Sequence, residues 1–182
     1  MIPDTLLTER LLLRPPALDD AQPAYEEYAG DPEVARYLAW RPHAEVGTVA
    51  EFLERQADGI RSGNRHFWSI CIRPSDRPVG NIGFHIQGHS IGVGYTLGRS
   101  HWNRGYMSEA LLPLVRAALA EPTVYRVWAY CHVDHAASRR VLEKVGMQLE
   151  GVLRRWLVFP NLGPVPCDCA CFSAVKPCGG AG

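Results

Sequence analysis

The chain has 182 residues, the length of one domain, and its 19 lysines and arginines are balanced by 19 aspartates and glutamates. Without net charge, the molecule has no overall field that would draw it to nucleic acid or to an anionic membrane. Apolar residues make up 47% of the sequence, with five tryptophans and seven tyrosines, so the composition excludes a disordered chain.

The first half of the chain predicts helices followed by an antiparallel meander. Asp31 and Pro32 are the residue types favoured at the cap and first turn of a helix, and Asp19 with Gln22 resembles a capping pair. Turn residues then separate three segments of β-type alternation. The predicted elements are a strand at 9–14, helices at 19–29, from 31 and at 44–61, and strands at 66–73, 79–87 and 91–97.

Gly92 and Gly94 lie inside the last of these strands. Isolated glycines within a strand usually mark a bulge, or a place where a ligand or another backbone approaches closely. This pair is the first indication of a functional site.

The second half alternates helices with strands, and Pro113 removes one hydrogen bond from the first of these helices. An α+β fold with a largely antiparallel sheet follows, as a single domain at 1–176 with a flexible tail at 177–182. The predicted elements are helices at 106–120 and 136–145 and strands at 124–131, 147–159 and 167–175.

The N-terminal stretch contains no apolar run long enough for a signal peptide or a membrane span, which favours the cytoplasm and no membrane partner. The six cysteines are then expected to be reduced. Cys167, Cys169 and Cys171 alternate, which places them on one face of a strand. Burial as small apolar side chains explains them better than a thiolate metal site, so we predict no metal.

Gly105 lies in a short turn between a predicted strand and a predicted helix. The N-terminus of a helix carries about half a positive charge and several N–H groups without internal partners, so it stabilises a phosphate group. Glycine lets the backbone approach such a ligand closely. Turns of this kind also occur for structural reasons alone, so other signals must support the prediction.

Two blocks of sequence supply that support. Residues 102–110, Trp-Asn-Arg-Gly-Tyr-Met-Ser-Glu-Ala, resemble the acetyl-CoA pyrophosphate loop of the GNAT superfamily in the Trp-x-x-Gly-Tyr form of its RimJ/RimL-type branch. Residues 131–146 are similar to the strand end and helix beside the pantetheine arm, and 8–15 and 78–83 also match. The resemblance implies a cytoplasmic acetyl-CoA-dependent N-acetyltransferase with the GNAT fold. Its mixed, largely antiparallel twisted sheet would be flanked by helices and splayed between the fourth and fifth predicted strands to admit acetyl-CoA.

The resemblance also implies which residues contact acetyl-CoA. Two positions depart from the family pattern, because Met107 replaces Gly or Ala and His135 replaces an Asn that binds the cofactor arm. These changes predict weakened cofactor affinity or an altered role for His135. The predicted cofactor-binding residues are Leu97, Asn103, Arg104, Gly105, Tyr106, Met107, Ser108, His135, Ser138 and Arg139.

Acetyl transfer to an amine needs a base, a hydrogen-bond donor for the developing charge on the carbonyl oxygen, and a proton for the leaving thiolate. The resemblance assigns Ser138 to the thiolate, without an acyl-enzyme. An N–H near Gly94 and Tyr95 would serve the carbonyl oxygen. The predicted catalytic residues are Ser138, His135 and Tyr95.

The base candidates are His135, His132, His85 and Glu109, and the sequence does not choose among them. The unperturbed histidine pKa of about 6.5 suits the role, whereas the helix dipole alone explains Glu109. Cys131 would imply a covalent acyl intermediate, which we discount because buried strand cysteines are usually inert.

The acceptor is the least defined part of the prediction. The resemblance favours a protein N-terminal amine, such as that of a ribosomal protein. A small amine (amino acid, polyamine or aminoglycoside) and a non-catalytic acyl-CoA-binding regulatory module are the alternatives. No direct nucleic-acid contact is expected, and an exposed final strand predicts a possible homodimer. The acceptor-side wall would contain Tyr25, Tyr28, Tyr37, Trp40 and Arg41.

Overall fold

An eight-stranded mixed sheet forms the centre of this computed structural model, which describes residues 1–63 and 65–177. The strands are β1 (Leu6–Leu7), β2 (Leu11–Arg14), β3 (Arg65–Ile72), β4 (Pro78–Gln87), β5 (Ser90–Leu97), β6 (Arg126–His132), β7 (Gln148–Val158) and β8 (Pro166–Val175). Their order in the sheet is β1-β2-β3-β4-β5-β6-β8-β7. All neighbours are antiparallel except β5 and β6, so the predicted α+β architecture is confirmed.

Five helices accompany the sheet. Asp31 caps one of them as predicted, since its carboxylate accepts the N–H of Glu33 at 2.8 Å. The helix predicted at 19–29 is present but irregular, since a 3-10 turn, one α-helical turn and a π-helical turn at Tyr25–Ala29 follow one another. The helices are α1 (Ala21–Ala24), α2 (Pro32–Ala35), α3 (Val46–Arg61), α4 (Tyr106–Ala120) and α5 (Ala136–Lys144).

Helices lie on both faces of the sheet. Neighbouring residues of a strand point to opposite faces, so one strand can contribute apolar side chains to a core on each face. On β3, Trp68 packs into the larger core together with residues of α4 and α5. The adjacent Phe67 packs into a smaller core with residues of α1 and α3. We call the face that carries α4 and α5 the inner face and the opposite one the outer face.

A gap opens in the sheet between β5 and β6. Among the described residues, these strands pair only where Ser90–Gly92 runs parallel to Arg126–Trp128. Beyond Gly92 they separate, so the predicted splay between the fourth and fifth predicted strands is confirmed. Of the two features that Gly92 and Gly94 could mark, the bulge is absent, because the register of β5 with β4 runs without a shift from Ser90 to Leu97.

The C-terminal part of the chain differs from the expectation. The final strand, β8, lies between β6 and β7, so it is not the exposed strand on which the predicted homodimer depended. The edge beyond it is β7, where Leu149 and Val152 are exposed. Apart from Pro177, the predicted flexible tail at 177–182 lies outside the described residues.

A buried ion pair fastens the first helical segment to the sheet. The Asp20 carboxylate accepts two hydrogen bonds from Arg14 at 2.7 and 2.8 Å, one from the Ala17 N–H and one from Ser69. Burial acts to raise the pKa of Asp20, but these hydrogen bonds outweigh it and hold the pKa below its ordinary value. The charged form of Asp20 therefore stabilises the fold.

Replacing Asp20 by alanine should lower the free energy of unfolding by about 3 kcal/mol, because Arg14 loses its buried counter-charge. Urea denaturation measures this. The difference in the free energy of unfolding between wild type and Asp20→Ala should be largest above about pH 4, the pKa of the carboxyl in the unfolded chain. It should shrink as the pH falls through the lower pKa of Asp20 in the folded protein. Asp58→Ala, which removes an exposed pair with Arg61, is the control and should change stability by less than about 1 kcal/mol. Equal losses in the two variants would contradict the assignment.

Candidate active site

A cavity of about 330 Å³ lies on the inner face, beside the gap. Three elements line it: the end of β5, the turn into α4, and one face of α5. α2 and the segment after it close one side through Val34 and Leu38. The gap between β5 and β6 therefore meets a helix N-terminus inside one cavity.

Gly105 is the cap of α4 and adopts the left-handed backbone conformation, with φ of 80°. A side chain here would be strained, and its Cβ position lies in open space apart from the Arg10 guanidinium at 3.6 Å. Asn103, with φ of 59°, is also left-handed. The turn thus exposes the first N–H groups of α4 to the cavity, which fits a bound diphosphate.

Met107 does not obstruct this turn. Its side chain is 5% exposed and packs in the larger core, although it also contributes to the cavity lining. The apolar side chain therefore anchors the first turn of α4 to the core and leaves the exposed backbone free.

Glu109 fastens the turn from outside the cavity. Its carboxylate accepts hydrogen bonds from the Thr8 hydroxyl at 2.6 Å and from the Arg10 guanidinium at 2.7 Å, and Arg10 also donates to the carbonyl of Arg104 at 3.1 Å. Burial acts to raise the pKa of Glu109, but these bonds lower it overall. Glu109 is therefore a structural anchor and a poor candidate for the base.

Tyr95 and Ser138 meet inside the cavity, where they join β5 to α5. The Tyr95 hydroxyl lies 2.7 Å from Ser138 Oγ, and Ser138 is 8% exposed. Burial raises the pKa of Tyr95 well above its ordinary value, so this hydroxyl keeps its proton at neutral pH. Burial also raises the pKa of the neighbouring Cys131, which leaves that thiol protonated and supports discounting it as a nucleophile.

His135 caps α5 and lines the cavity. Its ring stacks on Tyr37, with the centroids 4.7 Å apart. Burial, with a smaller contribution from the nearby His132, lowers the pKa of His135 to about 4. The imidazole is therefore neutral at pH 7 and can exchange hydrogen bonds with a ligand.

Of the other two histidine candidates, His132 lies close to His135, since both rings contact Tyr37, with the His132 and Tyr37 centroids 5.1 Å apart. His132 is buried at the end of β6, where its Nδ1 accepts the Asp134 N–H at 3.1 Å. His85 is exposed on β4, directly opposite Gly92 in the register. The structure therefore brings His132 and His135 together around Tyr37 and leaves His85 and Glu109 apart from them.

Eight of the ten predicted cofactor-binding residues line the cavity, whereas Arg104 and Arg139 do not. Arg140 and Lys144, which were not among the predicted cofactor-binding residues, line it from α5. Their positions follow Ala137 at helical spacing, a signal that was available in the sequence. The predicted residues that line the cavity are Leu97, Asn103, Gly105, Tyr106, Met107, Ser108, His135 and Ser138.

His101 is a further lining residue that the sequence did not reveal. Its Nε2 lies 2.9 Å from Glu27, whose carboxylate also accepts a hydrogen bond from Ser100. Gly98 makes room for this contact, because a Cβ there would lie 2.7 Å from Glu27 Oε1. The contact fastens the turn before α4 to the π-helical segment.

The gap also opens on the outer face. Tyr95 faces the cavity, so the preceding Gly94 faces outward, and a Cβ there would meet no atom within 4 Å. A reactant in the cavity and a second one at the outer face can therefore meet through the gap.

In the described ranges, 1–63 and 65–177, no group of three or more His, Cys, Asp and Glu residues is placed to hold a metal ion. The five cysteines of these ranges are all free. No helix of the same residues is long and apolar enough to cross a membrane.

Comparison with known proteins agrees with this geometry. The family model described as an acetyltransferase (GNAT) domain matches residues 10–148. The uncharacterized N-acetyltransferase p20 of Bacillus licheniformis is 32% identical over 154 residues, which cover 83% of this chain and 86% of that protein. The chain therefore belongs to the GNAT family of acetyltransferases, and its predicted acyl donor, acetyl-CoA, is confirmed.

Two solved structures share the fold at lower identity. Microcin C7 self immunity acetyltransferase MccE, in complex with acetyl-CoA and AMP, superposes with a TM-score of 0.82 at 22% identity, over 92% of this chain and 93% of that one. RimL, a ribosomal L7/L12 α-N-protein acetyltransferase in complex with coenzyme A, gives a TM-score of 0.83 at 18% identity, over 96% and 97% of the two chains.

Proposed function

We propose that this acetyltransferase moves the acetyl group from acetyl-CoA to a primary amine by direct attack, with both substrates bound together. The main observation that supports this proposal is the gap between β5 and β6, which joins the inner cavity to the outer face beside the Tyr95–Ser138 pair. Holding both reactants at such a junction removes much of the entropic cost of their encounter. The discounted Cys131 thiol has no part in this scheme.

The turn at Gly105 is proposed to hold the diphosphate of acetyl-CoA through the first N–H groups of α4. Arg140 and Lys144, which line the same cavity, would neutralise phosphate charge. Arg104 and Arg139 are not assigned to this role, because their side chains lie outside the lining. The acyl end then points along the cavity toward Ser138.

Tyr95 and Ser138 are proposed to protonate the leaving thiolate. Since the pKa of Tyr95 is raised, its hydroxyl stays protonated and can donate to Ser138 Oγ at 2.7 Å. Ser138 passes its proton to the thiolate as Tyr95 passes one to Ser138, and water returns a proton to Tyr95. The proton that the amine releases to water at the outer face balances the one that CoA gains. A backbone N–H of β5 near Gly94 is proposed to stabilise the carbonyl oxygen, because no strand of the described residues pairs with β5 on the gap side there.

The neutral His135 is proposed to position the acetyl-CoA arm. With a pKa of about 4, its conjugate acid is too strong for it to retain an amine proton at pH 7. Deprotonation of the amine is proposed to occur at the outer face through water, with His85, which lies opposite Gly92 in the sheet, as the base.

Two acceptor classes are consistent with this reaction. A protein N-terminal amine is supported by the RimJ/RimL-type motif and by the fold shared with RimL. A small amine is supported by three aromatic side chains beside the outer opening of the gap, Trp128, Tyr130 and Trp156, whose rings lie next to one another. We give the small amine more weight, because a similarity at 18% identity concerns the fold, whereas those side chains would contact the acceptor itself.

Calorimetric titration with acetyl-CoA is expected to show saturable binding in the micromolar range. A panel of peptides and small amines, assayed by release of the CoA thiol, should then show transfer to at least one acceptor. Turnover confined to peptides would reject the small-amine assignment, and turnover confined to small amines would reject the N-terminal one. Tight acetyl-CoA binding without transfer to any amine would instead identify an acyl-CoA-binding regulatory module.

A further inference from the structure

Three large aromatic side chains form a row on the outer face of the sheet: Trp128 and Tyr130 of β6 and Trp156 of β7. The Trp128 and Tyr130 rings are nearly stacked, with centroids 5.9 Å apart, and the Tyr130 and Trp156 rings meet edge to face at 6.4 Å. Tyr130 is 36% exposed and Trp156 is 52% exposed. A contiguous exposed aromatic surface of this kind marks a place where another group binds.

The backbone is built to hold this row. A Cβ at Gly92 would lie 3.1 Å from the Trp128 ring, so glycine makes room for the indole. On β7 the register with β8 shifts between Leu153 and Leu157, and Arg155 inside this irregularity has φ of 49°, which is unfavourable for a residue with a side chain.

The strained residue is held in place by β8. The Arg155 N–H donates to Asp168 Oδ1 at 2.8 Å, and the Arg155 guanidinium donates to the Pro166 carbonyl at 3.3 Å. Bulges of this type redirect a neighbouring side chain, and here the redirected side chain is Trp156. Strain that the surrounding structure maintains is typical of a functional position.

The row borders the outer opening of the gap. Trp128 is the last residue of β6 that pairs with β5, opposite Gly92. Tyr130 lies two residues further along β6, and the open Gly94 lies two residues further along β5. A group stacked on Tyr130 and Trp156 would therefore place an attached amine near the point where the acetyl group must be attacked.

The charges beside the row disfavour a polyamine. The carboxylate of Glu150 is bound by Arg126 and by the Ser173 hydroxyl. It is therefore already neutralised and cannot serve a second ammonium group of an acceptor. Stacking on the exposed rings is the interaction that this surface offers.

We propose that the row formed by Trp128, Tyr130 and Trp156 is the acceptor subsite and that it takes a small amine carrying a planar aromatic group. The assignment rests on the proposed acetyl transfer. Stacking of a planar ring on an exposed aromatic side chain changes affinity by roughly 5- to 150-fold, which is enough to separate aromatic from aliphatic amines.

The test compares tryptamine with hexylamine as acceptors of the full-length protein. Wild type should show a kcat/KM at least about 10-fold higher for tryptamine. Trp156→Ala should lower the tryptamine value by roughly 10-fold or more and the hexylamine value much less, while the KM for acetyl-CoA stays unchanged. Asp168→Ala, which releases the irregular segment but keeps Trp156, should lower the kcat/KM for tryptamine by a smaller factor.

Tyr125→Ala is the matched control, because Tyr125 is a 56% exposed aromatic residue outside the row. This variant should leave the kcat/KM for tryptamine and for hexylamine unchanged. Equal kcat/KM values for tryptamine in wild type and Trp156→Ala would overturn the inference. So would a change from dimer to monomer in Trp156→Ala without any effect on tryptamine, because the row would then be an interface between copies.

Absence of turnover with every amine would contradict the proposed function and would still leave the subsite testable. Calorimetry with tryptamine, in the presence of CoA, then decides: binding by wild type that Trp156→Ala loses supports the subsite, and absence of binding by wild type overturns it.

Discussion

Replacing Gly105 by glutamate is expected to abolish acetyl-CoA binding, with the dissociation constant rising at least about 100-fold. The new carboxylate would lie among the exposed N–H groups of α4, where the diphosphate is proposed to bind, and would repel it. The φ of 80° at this position adds backbone strain of about 1–2 kcal/mol. Calorimetric titration measures the affinity, and circular dichroism verifies that the fold is retained.

Two further variants separate charge from strain. Gly146 has nearly the same backbone, with φ of 84°, and a Cβ there meets no atom within 4 Å. Gly146→Glu should therefore cost similar stability and leave acetyl-CoA binding unchanged. Gly105→Ala carries strain without charge and should weaken binding much less than Gly105→Glu. Wild-type affinity in Gly105→Glu would show that this turn does not hold the diphosphate.

Local sequence signals were sufficient to predict most of the architecture. The helix predicted at 106–120 is α4 residue for residue, because its apolar periodicity, its glycine cap and the sheet it packs on all agree. The short strand β1 escaped prediction, since two residues carry no periodic pattern. The segment at 19–29 is helical as predicted, but the capping pair expected from Asp19 and Gln22 gave no sign that the helix changes type at Ala21 and at Tyr25.

The cavity was predictable where its residues are neighbours in sequence. The turn from Asn103 to Ser108 was indicated by its glycine and the following helix, and the resemblance of residues 102–110 to the pyrophosphate loop supplied the support that this local signal lacked. Glu109 was harder to interpret, since its partner Arg10 lies 99 positions away, and contacts at that separation leave no local signal. His101 also left no local signal, because its partner Glu27 belongs to a different element. The aromatic row could not be read from the sequence either, because it depends on an irregularity in β7.

Removing the Tyr95 or the Ser138 hydroxyl is expected to lower kcat by about 100-fold, the usual contribution of a positioned proton donor. The variants are Tyr95→Phe and Ser138→Ala, and the dissociation constant of acetyl-CoA should change by no more than about threefold in either, because the lost group acts on the departing thiolate. Ser69→Ala is the matched control. It also removes a buried hydroxyl, one that donates to Asp20, so it should lower stability and leave kcat unchanged.

The double variant distinguishes a relay from two independent contacts. Because the two hydroxyl oxygens lie 2.7 Å apart, Tyr95 and Ser138 should act as one unit, and removing both should cost about as much as removing the more important one. Independent roles would multiply the two losses to about 10,000-fold. A multiplied loss would contradict the relay, and a kcat within threefold of wild type in Ser138→Ala would remove Ser138 from the mechanism. Transfer would then depend on the geometry of the gap, with the thiolate taking its proton from water.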